Sequence, residues 1–210
     1  GFQRIHDLAW AAGDAQAKGF LIGATSGRTT LNGEGLQHQD GHSHVLSSTI
    51  PNCLSYDPAY AYELAIIFKD GIQKMFVEQQ NYYYYITVTN ENYEQPEQPK
   101  GIEKDVIKGL YKVSSCTNPQ IRLLGSGAIL KESIAAQEVL KKYSINAEVW
   151  SATSFNLLRK DGMEAERYNQ LNPHKEKHTT HIDKCFGEHA IPVIATTDYM
   201  RAYADQIRPY

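Results

Sequence analysis

Several features are scarce in this sequence, and each scarcity excludes a class of protein. Three cysteines, Cys53, Cys116 and Cys185, stand far apart in 210 residues, which indicates a reducing compartment rather than a disulfide framework. The longest apolar run, around Leu64–Phe68, is far shorter than the roughly 18 residues that span a bilayer. Positive charge is not in excess, since 21 Lys and Arg face 24 Asp and Glu, whereas phosphate-backbone binding needs a basic face. We therefore expect no membrane and no nucleic-acid partner.

The chain is long enough to bury a core without disulfides or metals, as one large domain or two small ones. It begins at Gly1 rather than methionine and shows no signal peptide. We expect it to be a piece of a longer polypeptide.

The first half of the chain alternates helical and strand patterns around one long polar stretch. Asp57 and Pro58 are typical of a helix N-terminus. Four consecutive tyrosines, Tyr82–Tyr85, favour a strand buried on both faces over a stacking platform for bases or sugars. The predicted elements are a helix at Gln3–Lys18, a strand at Phe20–Ala24, a loop at Thr25–Asn52, a helix after Asp57 and a strand at Tyr82–Thr89.

Prolines in Asn90–Lys100 indicate a linker, after which the pattern restarts. A strand, a helix and a strand between Ile121 and Trp150 predict a β-α-β crossover with parallel strands. The other elements predicted here are helices at Glu103–Gly109, Phe155–Tyr168 and Asp198–Gln206 and strands at Leu110–Ser114 and Pro192–Ala195.

Side chains suited to catalysis or ligand binding are most concentrated in the long polar stretch. Three of the eight histidines, His38, His42 and His44, fall within seven residues there, near Glu34 and Asp40. Imidazoles on a glycine-bearing loop suit proton transfer, anion recognition or metal ligation. A zinc site is permitted by the spacing without being diagnosed by it, and a polar surface loop with incidental histidines is the simpler interpretation.

Two further motifs have weaker chemical meaning. His174, His178 and His181 have helix-like spacing beside lysines, which favours a solvated face. The turn Gly125–Gly127 lies between a predicted strand and helix, where phosphate often binds. A dinucleotide fingerprint would need a third glycine, so a tight turn without a ligand is favoured.

Long strings of the sequence resemble the homodimeric type of pyruvate dehydrogenase, the thiamine diphosphate-dependent first component of the pyruvate dehydrogenase complex. The strings are GFQRIHDLAWAAGDAQAKGFLIGATSGRTTLNGEGLQHQDGHSH, TIPNCLSYDPAYAYELA, YYYYITVTNENYEQP, LLGSGAIL and TTDYMRAYADQIRPY. The resemblance covers essentially the whole chain and is weakest over Asn172–Glu188.

The resemblance implies an α/β chain made of parts of two transketolase-like α/β domains. Residues 1–95 would be the C-terminal part of the pyrimidine-binding domain, 96–108 a linker, and 109–210 an incomplete C-terminal domain. The family's cofactors are thiamine diphosphate and Mg²⁺. The Gly-Asp-Gly motif that binds the diphosphate does not occur here, so cofactor-binding residues and the metal site are expected upstream of Gly1.

The activity implied by the resemblance is decarboxylation of pyruvate and transfer of the acetyl group to the lipoyl group of a dihydrolipoyl acetyltransferase. His38 occupies the position of an active-site histidine, and Glu34 would orient it or line the channel. Gln39 stands where some relatives have an acidic residue. A second subunit in a homodimer and a bacterial, cytoplasmic location are expected, and the piece alone would be inactive.

Two alternatives from other classes remain open. One is a non-catalytic dimerisation or interaction fragment. The other is a metal-dependent hydrolase that uses the His38–His44 loop.

Overall fold

The computed structural model describes residues 2–28, 35, 38–187 and 189–210. They form an α/β protein with two sheets. The helices are α1 (Phe2–Asp14), α2 (Ser43–Ser47), α3 (Ala61–Ile72, continued by a π-helical turn at Gln73–Val77), α4 (Glu103–Lys108), α5 (Leu130–Lys141), α6 (Phe155–Leu171), α7 (His181–Phe186) and α8 (Arg201–Asp205). The strands are β1 (Phe20–Ala24), β2 (Cys53–Tyr56), β3 (Tyr83–Val88), β4 (Tyr111–Ser114), β5 (Ile121–Gly125), β6 (Ala147–Ser151) and β7 (Val193–Thr196).

The first sheet is parallel throughout, in the order β1-β3-β2. Its central strand β3 carries the tyrosine run, and side chains alternate between the two faces of a strand. Tyr84 packs on one face with Tyr56 and α3 residues, whereas Tyr83 and Tyr85 pack on the other with Phe2 of α1. All three of these tyrosines are buried, which confirms the prediction of a strand buried on both faces.

The second sheet has the order β4-β6-β5-β7. Strands β5, β6 and β7 are mutually parallel, and α5 connects β5 to β6, as the predicted crossover requires. Strand β4 is antiparallel to β6 at one edge of this sheet.

The structure differs from the predicted elements in several places. The stretch Thr25–Asn52 contains helix α2, and strand β2 and helix α7 had no predicted counterpart. Helix α3 begins at Ala61, not at Pro58 with Asp57 as its N-cap. The backbone amides of Ala59 and Tyr60 donate to the Glu63 carboxylate at the first turn of this helix.

The segment between the sheets is partly helical. Residues 89–99 form neither helix nor strand, but α4 follows within the predicted 96–108 linker. Val106 of α4 is buried with Tyr56 and Tyr111, and the Tyr56 hydroxyl donates to the carbonyl of Ile107 at 2.9 Å. The second half of the predicted linker is therefore packed against the first sheet. Among the described residues, the structure has no helix long and apolar enough to cross a membrane.

Candidate functional site

The carboxyl ends of the parallel strands of the two sheets meet. In open α/β sheets, ligands bind beyond the carboxyl ends of the strands. At the end of β2, Asp57 donates its backbone amide to the carbonyl of Thr153, two residues beyond β6, at 2.8 Å. The Asp57 carbonyl accepts from the amide of Gly127, just beyond β5, at 3.1 Å. The second sheet thus places its own carboxyl edge against the first.

The Asp57 carboxylate joins hydroxyl groups from both sheets. Thr87 of β3 donates to one oxygen at 2.6 Å, and Ser126 donates to the other at 2.9 Å. Burial raises the pKa of Asp57 from 3.8 to about 7, although both hydroxyls and their hydrogen bonds oppose the increase. Removing a carboxylate from water disfavours its charged form. Asp57 therefore titrates near neutrality at the junction of the two sheets.

His44 completes this buried network from α2. Its Nε2 lies 2.9 Å from the Thr87 hydroxyl oxygen. Since a hydroxyl has a single proton and Thr87 gives it to Asp57, Nε2 donates, and the neutral ring carries its proton there. The ring is fully buried and contacts Tyr85, Tyr199 and Tyr203, with the last stacked at 4.8 Å.

The imidazole of His44 stays neutral near pH 7. Burial lowers the pKa of His44 from 6.5 to about 3, against the opposing charge of Asp40. Aromatic packing around a neutral ring and one hydrogen bond to Thr87 are typical of a core histidine. This geometry indicates that His44 is a structural residue.

The Gly125–Gly127 turn is occupied by protein. Ser126 and Gly127 bind Asp57, as described above, and Gly127 has a φ of +52°. A Cβ at Gly127 would lie 2.4 Å from a carboxylate oxygen of Asp57. Glycine is needed here because of both the left-handed backbone and the close approach of this carboxylate. The turn therefore joins the two sheets.

The histidine-bearing stretch leaves the carboxyl end of β1. The amide of Ser26 donates to the carbonyl of Val88 at 2.8 Å, so the stretch starts beside the end of β3. His38 is exposed and lies in a turn in which its amide donates to the carbonyl of Gly35 at 3.0 Å. Glu34 lies outside the described residues. The structure thus places His38 on a segment that begins at the carboxyl edge of the first sheet.

The three histidines of this stretch are not brought together. His42 is exposed, and its amide donates to a carboxylate oxygen of Asp40 at 3.0 Å, whereas His44 lies in the core. Within residues 2–28, 35, 38–187 and 189–210, no group of three His, Cys, Asp or Glu side chains is placed to hold a metal ion.

The second histidine group does not form one solvated face either. His174 and His178 are exposed and precede α7, whereas His181 is buried at its first position. The Nε2 atom of His181 lies 2.9 Å from the carbonyl oxygen of Leu110. The predicted solvated face is therefore wrong for His181, because the chain turns inward at the start of α7.

Comparison with known proteins identifies the family of this chain. One family model, the pyruvate dehydrogenase E1 component middle domain, matches residues 1–96, and another, the transketolase-like TK C-terminal domain, matches residues 109–210. The pyruvate dehydrogenase E1 component of Pseudomonas aeruginosa is 56% identical over 214 residues. The chain belongs to the pyruvate dehydrogenase E1 family. E1 components of Escherichia coli K12 and Haemophilus influenzae are 53% and 46% identical.

The alignments with these three E1 components cover 100% of this chain and 24% of each relative.

Solved structures support the transketolase-like fold. A Campylobacter jejuni transketolase superposes with a TM-score of 0.65 at 18% identity, covering 92% of this chain and 29% of that one. A Leishmania mexicana transketolase gives 0.61 at 16% identity, covering 84% and 23%.

The polar residues that organise the junction were not predicted as such from the sequence. Asp57 was expected to cap a helix, Thr87 was predicted only as part of a strand, and Asp198 only as the start of a helix. A signal was available for Thr87, since it is a hydroxyl residue near the end of an otherwise apolar and aromatic strand. Asp57 could have been assigned to a strand end only if β2 had been recognised.

Proposed function

We propose that this chain is the part of a pyruvate dehydrogenase E1 component that presents His38 to the substrate. The parent enzyme would release carbon dioxide from pyruvate and pass the acetyl group to the lipoyl group of a dihydrolipoyl acetyltransferase. The observation that carries the proposal is the 46–56% identity to E1 components, which extends over the full chain.

His38 would donate a hydrogen bond to the pyruvate-derived oxygen or carboxylate and move a proton there. Its exposure supports this role, because a core imidazole such as that of His44 cannot reach a ligand. Its segment also begins at the carboxyl end of β1, where α/β sheets bind ligands. Glu34, in the same stretch, would orient the imidazole or line the channel.

Thiamine diphosphate and Mg²⁺ would bind mainly to parts of the parent outside this chain. The described residues do not supply a three-ligand metal group, and the sequence lacks the Gly-Asp-Gly motif. When bound, the cofactor supplies the electron sink for decarboxylation, while this chain supplies His38 and the packed junction behind it.

The proposed partners follow from the same assignment. A second E1 subunit would form a homodimer with the parent, and the acetyltransferase would bring its lipoyl group to the site. A bacterial cytoplasm is the proposed location.

The test uses the full-length parent with thiamine diphosphate, Mg²⁺ and pyruvate, and measures carbon dioxide release. His38→Ala should lower kcat by about 100-fold, the usual contribution of a positioned proton-transfer group. His42→Ala is the matched control, since it removes an exposed imidazole from the same stretch. It should leave kcat within about twofold of the wild-type value, because a solvated ring that transfers no proton contributes little to catalysis.

Unchanged release and acetyl transfer in His38→Ala would refute the role of His38. A parent that releases no carbon dioxide would instead favour a non-catalytic interaction protein. The hydrolase alternative requires the histidines to share a metal, but the ring of His44 lies in the core with Nε2 directed at Thr87. Stoichiometric zinc in the purified chain would revive that alternative.

A further inference from the structure

The segment just beyond β7 contacts both ends of the stretch that bears His38. At the first end, the amide of Arg28 donates to a carboxylate oxygen of Asp198 at 2.6 Å, and Arg28 Nε donates to the Asp198 carbonyl at 3.1 Å. At the second end, the amide of Met200 donates to the carbonyl of Gly41 at 2.9 Å. Two residues of the second domain, Asp198 and Met200, therefore hold the two points between which His38 lies.

Gly27 allows this contact. Its φ is +66°, and a Cβ there would lie 2.1 Å from a carboxylate oxygen of Asp198. Any side chain at this position would displace the carboxylate. Gly27 and Asp198 are therefore matched to each other across the domain junction.

Arg28 also brings the two ends close together. A Cβ built on Gly41 would lie 3.8 Å from the guanidinium carbon of Arg28, so the arginine side chain passes beside the second end. Holding two points of a chain near each other restricts the residues between them, because it removes conformations that the segment could otherwise sample. The restriction requires no contact between Asp198 and His38.

The surroundings of Asp198 suit it to anchor the stretch that bears His38. Its side chain is 9% exposed, and its negative charge is among the influences that raise the pKa of Asp57. A buried carboxylate near a second acid is costly unless it accepts hydrogen bonds. The amide of Arg28 supplies one such bond, which ties the position of the stretch to that of the second domain.

We propose that Asp198 is a positioning residue that fixes the His38 segment of the first domain from the second domain. The role of His38 itself rests on the proposed function, whereas the anchoring of Arg28 does not. The second domain thereby acts on the active site through one carboxylate.

Trypsin cleavage after Arg28 tests the anchoring in the 210-residue chain. A protease must extend the backbone around the cleaved bond, which the two Asp198 contacts oppose. Asp198→Ala should raise the cleavage rate after Arg28 at least tenfold, measured by mass spectrometry, without raising cleavage after Arg167 in α6. Asp198→Asn, which keeps an acceptor oxygen, should restore most of the protection.

Asp205→Asn is the matched control, because Asp205 is a partly exposed carboxylate of α8 that pairs with Arg201 and Arg208. It should leave cleavage after Arg28 unchanged. Unchanged cleavage in Asp198→Ala, or an equal rise after Arg28 and Arg167, would overturn the anchoring. If Asp198→Ala does not fold, Gly27→Ala provides the test, because its Cβ would displace the Asp198 carboxylate and should also raise cleavage after Arg28.

A double-mutant cycle in the full-length parent tests the consequence for catalysis. If Asp198 acts through His38, Asp198→Ala should lower kcat about tenfold in the wild-type background and have no further effect in the His38→Ala background. An equal loss in both backgrounds would assign Asp198 a general structural role and overturn its positioning role. If His38→Ala has no effect, the proposed function of His38 fails, while the cleavage experiment still decides the anchoring.

Discussion

Two segments of this protein each carry three histidines within eight residues, and both bury the last one. The first holds His38, His42 and His44, and the second holds His174, His178 and His181. In each, the earlier histidines are exposed and the last lies at or within the start of a short helix. Clustering along the sequence therefore does not gather the imidazoles at one site.

The difference between the two segments lies in where they join the sheets. The first leaves the carboxyl end of β1 and is held at both ends by residues 198–200. The second connects α6 to α7 and does not follow a strand along the chain. A place at the carboxyl edge of a parallel sheet, rather than histidine content, distinguishes the candidate functional segment.

The largest expected effect is at His44, whose burial defines the first segment. His44→Ala removes a fully buried ring that contacts three tyrosines and leaves Thr87 without its donor. We expect the free energy of unfolding to fall by about 3 kcal/mol, since a buried aromatic ring is lost with little local collapse. Urea unfolding of the 210-residue chain measures it.

His42→Ala is the comparison variant for His44→Ala. An exposed ring at this position should change the free energy of unfolding by less than about 0.5 kcal/mol. Equal losses at both positions would contradict the division into buried and exposed histidines.

The next expected effect is the pH dependence of stability that His44 and Asp57 contribute. The folded-state pKa of His44 lies below its unfolded value, so His44 favours the folded state increasingly as pH rises from about 3 to 6.5. The folded-state pKa of Asp57 lies above its unfolded value, so its contribution is full below about pH 4 and is lost as pH rises through about 7. Between about pH 4.5 and 6.5 the two slopes oppose each other.

Single substitutions should separate these slopes. Relative to wild type, Asp57→Asn should make stability rise with pH, and His44→Phe should make it fall, each by about 2 kcal/mol over that range. The midpoints of urea unfolding at about pH 4.5 and about pH 6.5 provide the measurement. Parallel curves for both variants would show that neither group titrates in the folded protein as the junction requires.

The sequence predicted those parts of the fold that depend on local pattern. Strand β1, the tyrosine strand β3 and the crossover from β5 to β6 were recognisable because apolar periodicity and turn residues mark them. Strand β2 was missed because its four residues lie between a long polar stretch and the pair Asp57-Pro58, which is typical of a helix start. That omission also misplaced Asp57.

The candidate site could be predicted only in part for a different reason. The role of His38 stays a prediction that rests on the resemblance of its surrounding motif. The burial of His44 depends on Tyr85, Tyr199 and Tyr203, which are 41 to 159 positions away along the chain. Asp198 likewise meets Arg28 across 170 positions. Contacts between domains are set by tertiary packing, which periodicity does not encode.

A smaller effect is expected at His181 in the second segment. His181 is 4% exposed, and its Nε2 lies at hydrogen-bond distance from the carbonyl of Leu110, so His181→Ala leaves a cavity and leaves that carbonyl with only the Cys185 thiol as a side-chain donor. We expect a loss of about 2 kcal/mol in the free energy of unfolding. His174→Ala, an exposed histidine of the same segment, is the control. A loss smaller than that of the control would remove the parallel with His44.

The smallest effect is expected at His178, where the ring is ordered by stacking rather than by burial. It lies parallel to the Tyr168 ring with centroids 3.5 Å apart, and Asn169 binds both the amide and the carbonyl of His178. Because the backbone contacts survive truncation and the ring is exposed, His178→Ala should cost less than about 0.5 kcal/mol. Asn169→Ala, which removes both backbone contacts, should cost more. If His178→Ala were as costly as His181→Ala in urea unfolding, stacking would stabilise as much as burial, and burial would no longer separate the histidines within each segment.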